Sequence, residues 1–60
     1  MTTYINKMIS LISKVSPETA EDFRQMSDNP AYDRFYLMLQ LSSYWEDDLS
    51  EEDRLRATML

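Results

Sequence analysis

Two side chains that are used widely for acid, base and nucleophilic chemistry in proteins are missing from this sequence. Its 60 residues include no Cys and no His, which removes the thiol nucleophile, the most frequent general base and the usual zinc ligands. The chemistry that remains is that of carboxylates, six of which are concentrated between Glu46 and Asp53. Adjacent acids on a polar segment are far more often solvated charge than a catalytic pair. The sequence therefore predicts a protein that is not an enzyme and that holds no cofactor.

The acidic run from Glu46 to Asp53 does not match a calcium-binding loop, because it lacks the alternating acids and the central glycine of that loop. The net charge of −5 does not favour direct binding to nucleic acid or to a membrane surface, since both require clustered cations. We expect instead a protein partner with a basic surface. Two interpretations of the run stay open: a charged helix boundary that keeps the protein soluble, or an interaction surface that imitates the phosphates of nucleic acid.

Trp45 lies immediately before the acidic run. In protein interfaces a buried aromatic side chain commonly supplies much of the binding energy, and the charged rim raises the association rate and selects the partner. This juxtaposition predicts a docking corner for a basic groove, and the alternative is that the aromatic rings only cap the core. The residues predicted to contact the partner are Trp45, Tyr44, Glu46, Asp47, Asp48, Glu51 and Glu52.

Helices are the elements predicted to position these residues. The first segment has apolar residues at helical spacing with lysines opposite. Ser16-Pro17 and Asn29-Pro30 both resemble helix starts, with an N-cap residue followed by a proline in the first helical position. The predicted fold is all-α, a single domain over residues 1–60 that forms a small bundle of three or four short helices, at about residues 3–15, 17–26, 30–46 and 50–59.

The predicted central helix, residues 30–46, carries nearly half of the bulky apolar side chains. Its predicted inward face consists of Ala31, Phe35, Met38, Leu39, Leu41 and Trp45, with Tyr32 and Leu37 at the edges. So wide an apolar arc is difficult to cover with three short neighbouring helices. We therefore expect a homodimer through this helix, with a dimer face that consists of Phe35, Leu37 and Leu41.

A small acidic chain of this kind is expected to act as a stand-alone regulator or inhibitor that binds another protein, and a phage or mobile-element origin fits that class. The alternative is a structural or assembly subunit of a larger helical complex. An inhibitor should be folded alone, whereas an assembly subunit should be partly unfolded until its partner binds. Because the chain has no Cys and no long apolar stretch, the expected compartment is the cytoplasm.

Overall fold

The structure is a computed structural model that describes residues 2–59, and it consists of helices. In chain order the elements are α1 (Thr2–Ser13), α2 (Pro17–Asp28), α3 (Arg34–Ser43), a π-helical turn (Tyr44–Asp48) that continues α3, and α4 (Glu51–Met59). No strand occurs within residues 2–59. The prediction of an all-α fold with four short helices is confirmed.

The first helix, α1, is the element on which the others pack, because it contacts α2, α3 and α4. Ile5, Ile9 and Ile12 recur once per helical turn and are at most 3% exposed. The sequence predicted this amphipathic helix, but it placed nearly half of the bulky apolar side chains on the central helix instead. The remaining members of the main core cluster come from α2, α3 and the segment that follows the π turn: Ala20, Phe23, Leu37, Leu41 and Leu49.

The junction between α1 and α2 follows from the proline. A residue that precedes a proline is disfavoured in the α conformation, so α1 ends before Ser16 and Pro17 opens α2. Ser16 is the N-cap residue, as predicted, but its side chain caps no backbone N–H. Its hydroxyl instead donates to the Thr19 hydroxyl at 2.8 Å.

The second helix runs to Asp28, two residues beyond its predicted end, because a side chain from α3 satisfies its carboxyl terminus. The Arg34 guanidinium donates to the Ser27 hydroxyl at 3.0 Å and also to the Ser27 carbonyl. The last carbonyls of a helix have no partner within the helix, and a cation at that position also interacts favourably with the negative end of the helix dipole. Arg34 therefore stabilises α2 and joins it to α3.

The third helix begins at Arg34 rather than at Pro30, which corrects the predicted start. The Asn29 side chain accepts a hydrogen bond from the Ala31 N–H at 2.9 Å, so Asn29-Pro30 opens a turn instead of a helix. The N-cap is Asp33, whose carboxylate accepts from the Tyr36 N–H at 3.2 Å.

The face of α3 that meets the core also differs from the predicted one. Leu37 and Leu41 are completely buried, whereas Phe35 is 66% and Leu39 is 53% exposed. The neighbouring helices cover the side of α3 that carries Leu37 and Leu41. Phe35 and Leu39 lie on the solvent-exposed side. The predicted dimer face is therefore wrong for Leu37 and Leu41, which a second chain could reach only if the core opened.

The fourth helix begins at Glu51, one residue after its predicted start at about residue 50. The Ser50 hydroxyl accepts a hydrogen bond from the Asp53 N–H at 3.1 Å, which caps the helix. Ala57 is fully buried, and α4 contacts α1. Leu55 and Met59 of α4 are 59% and 75% exposed.

Candidate functional site

Trp45 lies on the π turn and forms a wall between two grooves. The ring is half-buried and packs against the main core cluster. The smaller groove has a volume of about 200 Å³ and is lined by Tyr4, Met8, Ser42, Trp45 and Glu46. The larger groove has a volume of about 420 Å³ and is lined by Trp45, Glu51, Arg54, Leu55 and Thr58. A molecule that occupies either groove would contact Trp45.

The π turn determines which aromatic ring faces the grooves. The Leu49 N–H donates to the Tyr44 carbonyl at 2.9 Å, the spacing that defines a π turn, and such turns often occur at functional sites. The Tyr44 ring packs edge-on against Phe23, with centroids 5.8 Å apart. The structure therefore separates two predicted contact residues: Tyr44 packs against α2 and lines neither groove, whereas Trp45 lines both.

The five predicted carboxylates are all exposed, but only two of them line a groove. Glu46 lines the smaller groove and Glu51 the larger one. Asp47 accepts a hydrogen bond from the Ser43 hydroxyl at 3.2 Å, and Glu52 forms an ion pair with Arg56 at 3.1 Å.

Asp48, the fifth predicted carboxylate, is also exposed and lines neither groove. Of the predicted contact residues, Trp45, Glu46 and Glu51 therefore line the two grooves, and the others do not. We call these three residues the Trp45 corner.

Sequence reasoning missed Tyr4, Met8 and Ser42 as members of the smaller groove. The hydroxyls of Tyr4 and Ser42 share a hydrogen bond of 3.0 Å between residues 38 positions apart. No local pattern in the sequence identifies such a pair. Their contact depends on how α1 packs on α3.

Arg54 was also missed. It lines the larger groove, and its Nε is buried without a hydrogen-bond partner among the described residues. The i, i+3 spacing from Glu51 could have indicated that both residues lie on one side of α4. The larger groove therefore carries both signs of charge, whereas Glu46 is the only charged side chain, among those the structure describes, that lines the smaller groove.

The outer side of α3, together with Tyr32 in the segment before it, forms a second surface that is distinct from the Trp45 corner. Phe35, Leu39, Tyr36 and Tyr32 are all at least 40% exposed, and the two tyrosine rings stack with centroids 6.3 Å apart. Arg34 is the only charged residue of α3, and it is occupied at the end of α2. We call these four residues the outer face of α3.

Between residues 2 and 59, no group of three or more acidic side chains is arranged to hold a metal ion. None of the helices in that range combines the length and the apolar character that crossing a bilayer demands.

Comparisons of the chain with models of protein families, with characterised proteins and with solved structures found no match.

Proposed function

We propose that this protein is a small acidic regulator or inhibitor that acts by binding another protein rather than by catalysis, and that the Trp45 corner docks on a basic groove of that partner. The observation that supports this proposal is the position of Trp45, which is half-buried between two grooves with a carboxylate on each side. An aromatic ring that is already partly ordered loses little conformational freedom on binding. Its flanking charges favour a cationic partner.

The charge of the whole chain supports the same kind of partner. Eleven acidic residues against six basic ones give a net charge of −5. Of the basic side chains, Arg24 and Arg56 form ion pairs on their own helices, and Arg34 is bound to Ser27. Long-range attraction between this protein and a basic surface raises the association rate and weakens with salt.

The test begins with capture of partners from the host lysate. Wild-type protein is immobilised, and proteins that it retains but a bare matrix does not are identified and purified. Binding of each purified candidate to the wild type and to the double variant Glu46→Gln/Glu51→Gln is then measured by calorimetry. Trp45→Phe, which keeps an aromatic ring packed on the core, should weaken binding several-fold. Unchanged affinity for both variants would contradict the proposal.

The matched control for the double variant is Glu18→Gln/Asp22→Asn. It changes the net charge by the same amount with two exposed acids of α2 that line neither groove. A partner that responds equally to both double variants recognises net charge rather than the Trp45 corner. Competition with a duplex oligonucleotide for the same partner would reveal whether the acidic surface imitates nucleic acid.

A second candidate function, an assembly subunit of a larger helical complex, is favoured by the exposed apolar side chains of α3 and α4. The outer face of α3 and the side chains of Leu55 and Met59 are available to further helices. Such a subunit should gain helical content and thermal stability when its partner is added, whereas an inhibitor should be fully folded alone. Circular dichroism of the isolated chain separates the two. The cytoplasm is the compartment that we propose for either function, and cell fractionation tests it.

A further inference from the structure

The size of the smaller groove restricts what can occupy it. Its volume of about 200 Å³ is below the roughly 300 Å³ at which pockets for small-molecule ligands begin. A single long side chain presented by another protein is an occupant of suitable size. The question is therefore which side chain the lining residues would favour.

The walls of the groove are held in place before any partner arrives. The hydrogen bond between the Tyr4 and Ser42 hydroxyls joins α1 to α3 at 3.0 Å and orients the Tyr4 ring. Trp45 packs against the main core cluster on the other side, and Met8 is half-buried against the same cluster. A groove whose rings are already positioned loses less conformational entropy when it is filled.

The lining chemistry matches a basic side chain. Two aromatic rings, Tyr4 and Trp45, can contact a cation through their faces. The thioether of Met8 can pack against the aliphatic stem that Lys and Arg share. Glu46 supplies the carboxylate that would pair with the charged head group. In the larger groove, by contrast, Arg54 contributes a positive charge beside Trp45.

We propose that the smaller groove receives one Lys or Arg side chain of the partner, with its stem on Met8 and its cationic group between Tyr4, Trp45 and Glu46. This inference rests on the proposed function and names the chemical group that the Trp45 corner recognises. Charge complementarity selects this occupant, because among residues 2–59 the only charged side chain that lines the groove is Glu46.

The chain contains one tryptophan, so its fluorescence reports directly on the groove. The probes are capped tripeptides with alanine on both sides of arginine, lysine or norleucine, titrated at constant ionic strength. Norleucine has an apolar stem like that of lysine but no charge. A cation–π contact together with one exposed ion pair predicts weak but saturable binding of the basic peptides at roughly 30–300 mM. Amide chemical shifts of Tyr4, Met8 and Ser42 should move with the same midpoint. No saturable response to the basic peptides, or an equal response to norleucine, overturns the inference.

Substitutions then assign the contact to one groove. Glu46→Gln should weaken binding of the arginine peptide by roughly 2- to 5-fold. Glu51→Gln, which removes the same charge on the opposite side of Trp45, should leave it unchanged. Tyr4→Leu should weaken it by a similar 2- to 5-fold factor through loss of the ring face. If Tyr4→Leu unfolds the protein, the exposed Glu46 and Glu51 still provide the comparison.

The outcomes separate this inference from the proposed function. If Glu51→Gln weakens peptide binding and Glu46→Gln does not, the cation occupies the larger groove, so the inference is overturned while docking at the Trp45 corner stands. If instead a captured partner binds both the Glu46→Gln/Glu51→Gln and the Trp45→Phe variants with unchanged affinity, the proposed function itself has failed.

Discussion

Replacing Leu37 or Leu39 by alanine tests the orientation of α3, because the two residues are chemically identical and differ in burial. Leu37 is completely buried, whereas Leu39 is 53% exposed. Leu37→Ala loses the transfer free energy of a buried side chain and leaves a cavity, together about 3 kcal/mol. Leu39→Ala loses about half of a burial term of roughly 2 kcal/mol, or about 1 kcal/mol. A domain of this size has a total stability of only about 3–5 kcal/mol, so Leu37→Ala should retain no more than about 2 kcal/mol at 25 °C.

Thermal unfolding followed by circular dichroism at 222 nm measures the difference. At about 4–8 °C per kcal/mol for a small domain, Leu37→Ala should lower the Tm by about 12–24 °C and Leu39→Ala by no more than about 8 °C. Leu41→Ala, at a second fully buried position, should behave like Leu37→Ala. Equal losses for Leu37→Ala and Leu39→Ala, or a larger loss for Leu39→Ala, would refute the orientation of α3 described here.

Three further predictions concern the amino-terminal end and the outer face of α3. Asp33→Ala removes the side chain that accepts from the Tyr36 N–H and should cost about 1 kcal/mol in urea unfolding; a stability equal to that of wild type would contradict Asp33 as the N-cap. Arg34→Leu removes the donors to Ser27, so amide exchange should accelerate at the carboxyl end of α2 while the amides of α4 keep their wild-type rates; a uniform acceleration would mean that Arg34 stabilises the whole fold instead. The outer face of α3 consists of exposed apolar and aromatic side chains and carries no charge, so self-association of this net-negative chain should occur there. Phe35→Ser should abolish that self-association in sedimentation experiments. A wild-type protein that stays monomeric at millimolar concentration would contradict this prediction.

Local signals in the sequence predicted α1 and the start of α2 well. Ile5, Ile9 and Ile12 repeat at helical spacing, and only one side of that helix is apolar, so the buried face has no competitor. Ser16-Pro17 acts as a helix start because the proline fixes the first helical residue. Both inferences depend on interactions between residues that are close in the chain.

The start and the orientation of α3 are not determined by local signals in the sequence. Asn29-Pro30 resembles Ser16-Pro17, yet the Asn29 side chain bonds to the Ala31 N–H and Asp33 caps the helix four residues later. Apolar side chains nearly surround α3, so its own periodicity does not determine whether Leu37 or Leu39 points inward. The packing of α1 and α2 against α3 determines that Leu37 points inward and Leu39 outward.

The candidate site was predictable only in part, for the same reason. Trp45 and its acidic neighbours are adjacent in the sequence, and this adjacency indicated a docking corner. The groove beside Trp45 is completed by Tyr4 and Met8 from α1, more than 35 residues earlier in the chain. Tyr44 is adjacent to Trp45 in the sequence, but in a helical turn adjacent side chains point in different directions. Tyr44 therefore packs against Phe23 instead of lining a groove.

The central claim, that the Trp45 corner recognises a basic partner, is tested most directly by stopped-flow association with the captured partner, followed through Trp45 fluorescence at low and at high salt. We expect Glu46→Gln/Glu51→Gln to slow association at low salt and to flatten its salt dependence, because the charges nearest the docking site contribute most to the encounter. Glu18→Gln/Asp22→Asn, with the same net charge, should associate at close to the wild-type rate. Equal rates and equal salt slopes for the two double variants would contradict the claim.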